Sequence, residues 1–81
     1  MDRELRINAR GLSEPGPRLM VETALEKNRP DFLRVVVSGR AAAEDVGRFL
    51  EQAGAVVDID AVGDEIHVLA RFQPGPGSRT G

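Results

Sequence analysis

Leu5, Ile7 and Ala9 alternate with Glu4, Arg6 and Asn8, and a period of two with one polar face predicts a short, half-buried strand over 4–9. Arg10 and Gly11 end it, glycine being free to take a backbone angle closed to other residues. The period then changes. Met20, Val21, Ala24 and Leu25 recur at three- and four-residue spacing, with Arg18, Glu22, Glu26 and Lys27 on the other side, the pattern of an amphipathic helix. Its start falls within Ser13-Glu14-Pro15-Gly16-Pro17. Ser13 or Glu14 is the expected cap, Pro15 the first helical residue, and Pro17 falls in the first turn, where a missing N–H is no loss. A group at position 14 is expected to sit beside free amides. Asn28-Arg29-Pro30-Asp31 stops the helix and turns the chain.

Phe32 to Ser38, with Val35-Val36-Val37 at its centre, is the most strand-prone run and is almost continuously apolar, which predicts an inner strand. Gly39 ends it. A second helix is predicted over 42–53, with Ala42, Val46, Phe49, Leu50 and Ala53 as its buried stripe, a Glu44–Arg48 pair on its wet side and Gly54 as its C-terminal cap. Two alternating segments follow, one placing Ala55, Val57, Ile59 and Ala61 on one side against Asp58 and Asp60, the other placing Ile66, Val68, Ala70 and Phe72 against Glu65, His67 and Arg71. Val62-Gly63-Asp64 joins them as a hairpin. Residues 73–81 contain two Pro, three Gly and no apolar anchor, and are expected to form a loose tail beyond a single domain over 1–72.

The predicted order is β-α-β-α-β-β. Helices of this length cross over between parallel strands, and the closing hairpin makes the four-stranded sheet mixed. The last two strands each keep a polar face, so both helices pack on the other face. The expected fold class is an open two-layer α/β sandwich.

Composition narrows the chemistry. A chain of 81 residues with 41% apolar and 30% charged residues is an ordinary globular domain with one small core. Its only aromatics are three Phe, so that core is aliphatic. The formal charge of -2 gives little long-range attraction to nucleic acid or anionic lipid. Cysteine is absent, which excludes disulfides, thiolate nucleophiles and cysteine-bound metals within this chain. The sequence has neither an apolar signal region nor a run approaching about 18 apolar residues, and the expected location is the cytoplasm.

Ala9-Arg10-Gly11-Leu12, then Pro15-x-Pro17 and Ala24-Leu25, resemble the TusA/SirA sulfur-carrier family, whose pattern runs roughly Asp-Ala-Arg-Gly-Leu-x-Cys-Pro-x-Pro. The likeness extends over about residues 5 to 72, through the break at Pro30-Asp31 and the helix ending at Gly54 to the hairpin about Gly63. It implies the same order of elements and a role in sulfur relay. Family members that act as relays hold a persulfide on the motif cysteine and pass sulfur from a cysteine desulfurase toward tRNA thiolation, sulfur oxidation or cofactor assembly. That cysteine falls on Glu14 and the motif's Asp falls on Asn8. A persulfide needs a nucleophilic thiolate, which a carboxylate does not supply. The resemblance therefore implies a non-catalytic protein-binding or regulatory role, with Arg10, Glu14, Pro15, Pro17 and Arg18 as the partner-binding face and a protein of the sulfur-transfer machinery as the partner. Glu14 also has a bland reading, as an acid stabilising the positive end of a helix.

Two further readings stay open beside that one: an accessory subunit of a sulfurtransferase relay, and an RNA-binding protein using Arg3, Arg6, Arg10 and Arg18. Against the second, aromatic stacking groups are wanting. No cofactor or metal is expected. Asp58-Ile59-Asp60 opens like a calcium loop, but Val62 and Leu69 stand where ligands are needed. His67 is the only histidine and is expected in a cross-strand ion pair rather than on a metal. Glycine-rich phosphate loops are missing.

Overall fold

A computed structural model describes residues 3–72. The elements are β1 (Glu4–Asn8), α1 (Gly16–Lys27), β2 (Phe32–Val37), α2 (Arg40–Gln52), β3 (Ala55–Val62) and β4 (Glu65–Phe72), in the predicted order. The predicted tail, 73–81, lies outside the described residues.

The sheet runs β1-β2-β4-β3. β1 pairs parallel to β2, with Ile7 opposite Val35, while β4 lies antiparallel between β2 and β3. The sheet is therefore mixed. β2, the most apolar strand, is flanked on both sides, as its unbroken run requires. Its alternation sends Leu33, Val35 and Val37 to the helix side, all fully buried. Ile7 and Ala9 beside them, Val68 and Ala70 from β4, Val21 from α1, and Ala42, Ala43, Val46 and Leu50 from α2 complete one aliphatic core.

The helices bury most of the expected stripes, Val21, Ala24 and Leu25 of α1 and Ala42, Val46 and Leu50 of α2, and differ from expectation at the margins. In α1, Pro17 and Val21 are buried and Met20 is exposed; Pro17, Val21, Ala24 and Leu25 share one face at helical spacing, and Met20 lies off it. In α2 the buried residues are Ala42, Ala43, Val46, Gly47 and Leu50. Phe49 is half-buried and Ala53 exposed. This helix lies over β2, β4 and β3, which centres its buried face on Ala43, Val46 and Leu50 and leaves Phe49 at the rim beside Arg18. The Glu44–Arg48 pair does not form among the described residues; Arg18 instead bridges the helices, meeting Glu22 and, at 3.3 Å, Asp45. On β3 only Ala55 is buried, and Ile59 is nearly half exposed although it faces the helix side.

Leu50→Ala should cost roughly 2–5 kcal/mol by removing a fully buried side chain from a close-packed core. Phe49→Ala should cost less than the roughly 3–5 kcal/mol of a wholly buried ring. Gly47 has room for a methyl group, whose nearest neighbours would be Val57 Cγ1 at 3.5 Å and Ile59 Cδ1 at 3.6 Å. Gly47→Ala should therefore stabilise by about 0.5–1 kcal/mol through helix propensity. Urea midpoints of the three variants test this ranking.

Candidate functional site

The loop after β1 is held by contacts that its short sequence makes with the end of β2 and the start of β4. The strand ladder continues one step past Asn8, Ala9 N–H donating to Val36 O at 2.8 Å. Gly11 then takes φ +83°, the left-handed backbone that glycine adopts without strain, and Leu12 N–H closes the turn weakly on Ala9 O at 3.4 Å. Gly11 N–H donates to Ser38 Oγ at 3.0 Å, tying the loop to the end of β2. Asn8 Oδ1 accepts from both the backbone N–H and Nε of Arg10, each at 3.2 Å. This aims the far end of the Arg10 guanidinium at Glu65, with which it forms an ion pair. Because Asn8 is neutral, the countercharge to Arg10 comes from Glu65. Arg10, Gly11, Ser38, Val62, Asp64 and Glu65 line a depression of about 590 Å³ beside the loop.

The start of α1 departs from the expected cap. Pro15 is the N-cap, joined to Glu14 by a cis peptide bond, and no side chain caps the helix. Gly16 N–H donates to the carbonyl of Ser13 at 2.8 Å and Leu19 N–H to that of Pro15 at 3.0 Å. Pro17 has no N–H to offer. Of the first-turn amides this leaves only Arg18 N–H without a backbone partner among the described residues, so the expected set of free donors shrinks to one. Glu14 is exposed, and its carboxylate makes no hydrogen bond or ion pair with the described residues. Its stabilising contribution is therefore limited to the field of the helix end.

Of the five residues expected to share a face, Arg10, Glu14 and Pro15 are exposed on the loop. Pro17 is turned into the core, and half-buried Arg18 is directed at α2. Sequence reasoning missed the apolar part of this surface. Leu12, Leu19 and Met20 are 39–49% exposed. Leu12 covers Gly16, where an added Cβ would lie 3.2 Å from Leu12 Cβ, and Leu19 and Met20 follow Gly16 on the same side of the helix. The signal was present in the spacing: Leu12, Leu19 and Met20 form a second apolar stripe, and only one stripe can face the sheet.

Glu65 extends the contacts of Arg10 onto the open face of the sheet. His67 Nε2–H donates to Glu65 Oε1 at 3.1 Å, and Arg34 donates to His67 Nδ1 at 2.9 Å, an arrangement that requires the neutral Nε2–H tautomer. Arg34 Nε has no hydrogen-bond partner among the described residues and lies 3.9 Å from Glu4 Oε2. The partner of His67 is thus Glu65 on its own strand, although Asp60 stands directly opposite in register; this replaces the expected cross-strand ion pair. Among the described residues no group of three His, Cys, Asp or Glu is arranged to hold a metal, and no helix is long and apolar enough to cross a membrane.

A family model described as Sulfurtransferase TusA matches residues 5–71. A SirA-like protein from Desulfitobacterium hafniense has a similar fold, with a TM-score of 0.75 at 18% sequence identity, over 86% of this chain and 99% of that one. No curated protein matches the sequence.

The hydrogen bond from His67 holds the Glu65 carboxyl below its ordinary value of 4.5; the charge and hydrogen bond of Arg10 add to this, and burial opposes it. A carboxyl depressed in the folded state contributes stability in full above its unfolded pKa and loses it as pH falls through the folded value. The carbon-13 titration of Glu65 should therefore have its midpoint below 4.5, and it should move upward in His67→Ala and in Arg10→Ala.

Proposed function

Because the chain belongs to the TusA sulfurtransferase family, we propose that it is a binding or regulatory protein of the sulfur-transfer machinery that recognises a protein partner without carrying sulfur itself. The scaffold is that of a sulfur carrier, and the family acts in sulfur relay with other proteins. One observation carries the reading. At the position where the motif holds cysteine, this chain presents Glu14, exposed and without a partner among the described residues, in a sequence with no cysteine at all. Storing a sulfane sulfur requires a thiolate that attacks a persulfide and leaves again, and a carboxylate does neither.

What the loop retains is shape. Gly11 and Ser38 fix the turn, Arg10 is clamped by Asn8 and Glu65, and Pro15 and Pro17 set the entry to α1. The docking face comprises Arg10, Glu14 and Pro15 at the surface, braced from beneath by Pro17 and Arg18. Leu12, Leu19 and Met20 supply apolar area beside it, the type of area that anchors protein interfaces. Glu14 contributes a charge at its margin, where a cation of the partner would meet it.

Binding of the purified chain to a cysteine desulfurase and to the persulfide-bearing carriers of the same organism, measured by biolayer interferometry, tests the reading. The wild type should bind at least one of them, and Glu14→Arg and Leu19→Glu should each weaken that complex by about tenfold or more through lost charge and apolar contacts. Both residues are exposed, so both variants should fold. Absence of binding by the wild type, or equal binding by all three proteins, contradicts the proposal.

A further inference from the structure

Among the described residues β3 is an edge of the sheet, paired on one side only, by β4. It is eight residues long, contains no proline, and keeps an unbroken register with β4 from Ala55 opposite Phe72 to Val62 opposite Glu65. An edge of this length presents a row of backbone N–H and C=O groups able to pair with another strand. The helix layer does not close over it. Val57 and Ile59 emerge from beneath α2 at Gly47, and with Glu44, Arg48, Glu51 and Asp58 they line a groove of about 410 Å³. Its floor is apolar, and the rim that α2 supplies carries two carboxylates, Glu44 and Glu51, to one guanidinium; the side chain of Asp58 alternates to the other face. On the other face, Val56, Asp58, Asp60 and Val62 are exposed, and neither aspartate has an ion-pair partner among the described residues.

We propose that β3 receives an extended segment of a partner protein whose side chains alternate between basic and apolar, added as a fifth strand. The added backbone would pair with the free edge of β3. Its basic side chains would meet Asp58 and Asp60 on the open face, and its apolar ones would enter the groove over Val57 and Ile59 beneath the acidic rim of α2. Main-chain pairing supplies affinity in this mode of recognition, and alternate side chains supply specificity.

A second copy of this chain does not fit the same edge. Antiparallel self-pairing keeps equal faces together, and the two registers with the greatest overlap set Asp58 against Asp58, or Asp58 against Asp60 twice. Like charges directly opposite one another destabilise a strand pair. The same carboxylates that oppose self-association select a cationic strand, so the edge is both protected and specific.

Chemical-shift mapping on the isotope-labelled protein, with a peptide of alternating lysine and valine as the probe, tests this. The expected result is shifts confined to β3 and to the side of α2 from Glu44 to Glu51. Affinity should fall about tenfold or more when alternate peptide amides are N-methylated, since the main-chain hydrogen bonds are then lost at constant charge. The double variant Asp58→Lys with Asp60→Lys should lose the lysine peptide and gain its glutamate counterpart. Four results would each overturn the proposal: no shifts, shifts elsewhere on the molecule, equal affinity for the N-methylated peptide, or β3 amides protected by dimerisation without any peptide.

Discussion

The burial of one face of β2 fixes the geometry from which the rest follows. Leu33, Val35 and Val37 are wholly withdrawn from solvent beneath the helices, and the strand carrying them is flanked by β1 and β4. A one-residue slip would put Phe32, Arg34 and Val36 in their place, so the register with both neighbours is firmly specified. Parallel pairing with β1 brings the ends of β1 and β2 together, which is why Gly11 reaches Ser38. Antiparallel pairing with β4 brings the start of that strand to the same end, which is why Arg10 reaches Glu65. The loop is therefore positioned by sheet order more than by its own residues.

At that end the chemistry is defined by substitution. A thiolate at position 14 would be a nucleophile; the carboxylate of Glu14 is a fixed, solvated charge. The helix start adds little electrostatic focusing, because Ser13 and Pro15 carbonyls take two of its amides and Pro17 lacks one. Such a site is suited to recognition, with an exposed charge beside Leu12, Leu19 and Met20 on a braced loop. The free edge of β3 lies on the far side of the sheet from β1, and its last residue, Val62, borders the depression beside the Arg10 loop.

Much of the fold was legible in the sequence because each period had one reading. The alternation of β1, the apolar run of β2 and the glycines at 54 and 63, both with positive φ, located the elements and turns to within a few residues. The family resemblance was carried by a handful of positions about Gly11 and the two prolines, and the match over residues 5–71 bears it out. What the sequence concealed was tertiary choice. In α1 the expected stripe of Val21, Ala24 and Leu25 packs on the core, but Pro17 joins it in place of Met20, which turns outward with Leu19. Phe49 belongs to the right side of α2 but lies at its margin, since that helix is centred over β4 and β3. Contacts such as Arg18 with Asp45 and His67 with Glu65 depended on which neighbours folding supplied. The carbonyl of Ser13, rather than its hydroxyl, served the helix start, and periodicity carries no information on that.

The proposed role requires that this carrier scaffold does not carry sulfur. Mass spectrometry of the intact chain, after incubation with a cysteine desulfurase and isotopically labelled cysteine, tests it most directly. The wild type should gain no sulfane sulfur, whereas Glu14→Cys should acquire it at the introduced thiol. A labelled sulfur atom on the unsubstituted chain, removable by a reducing thiol, would contradict the claim.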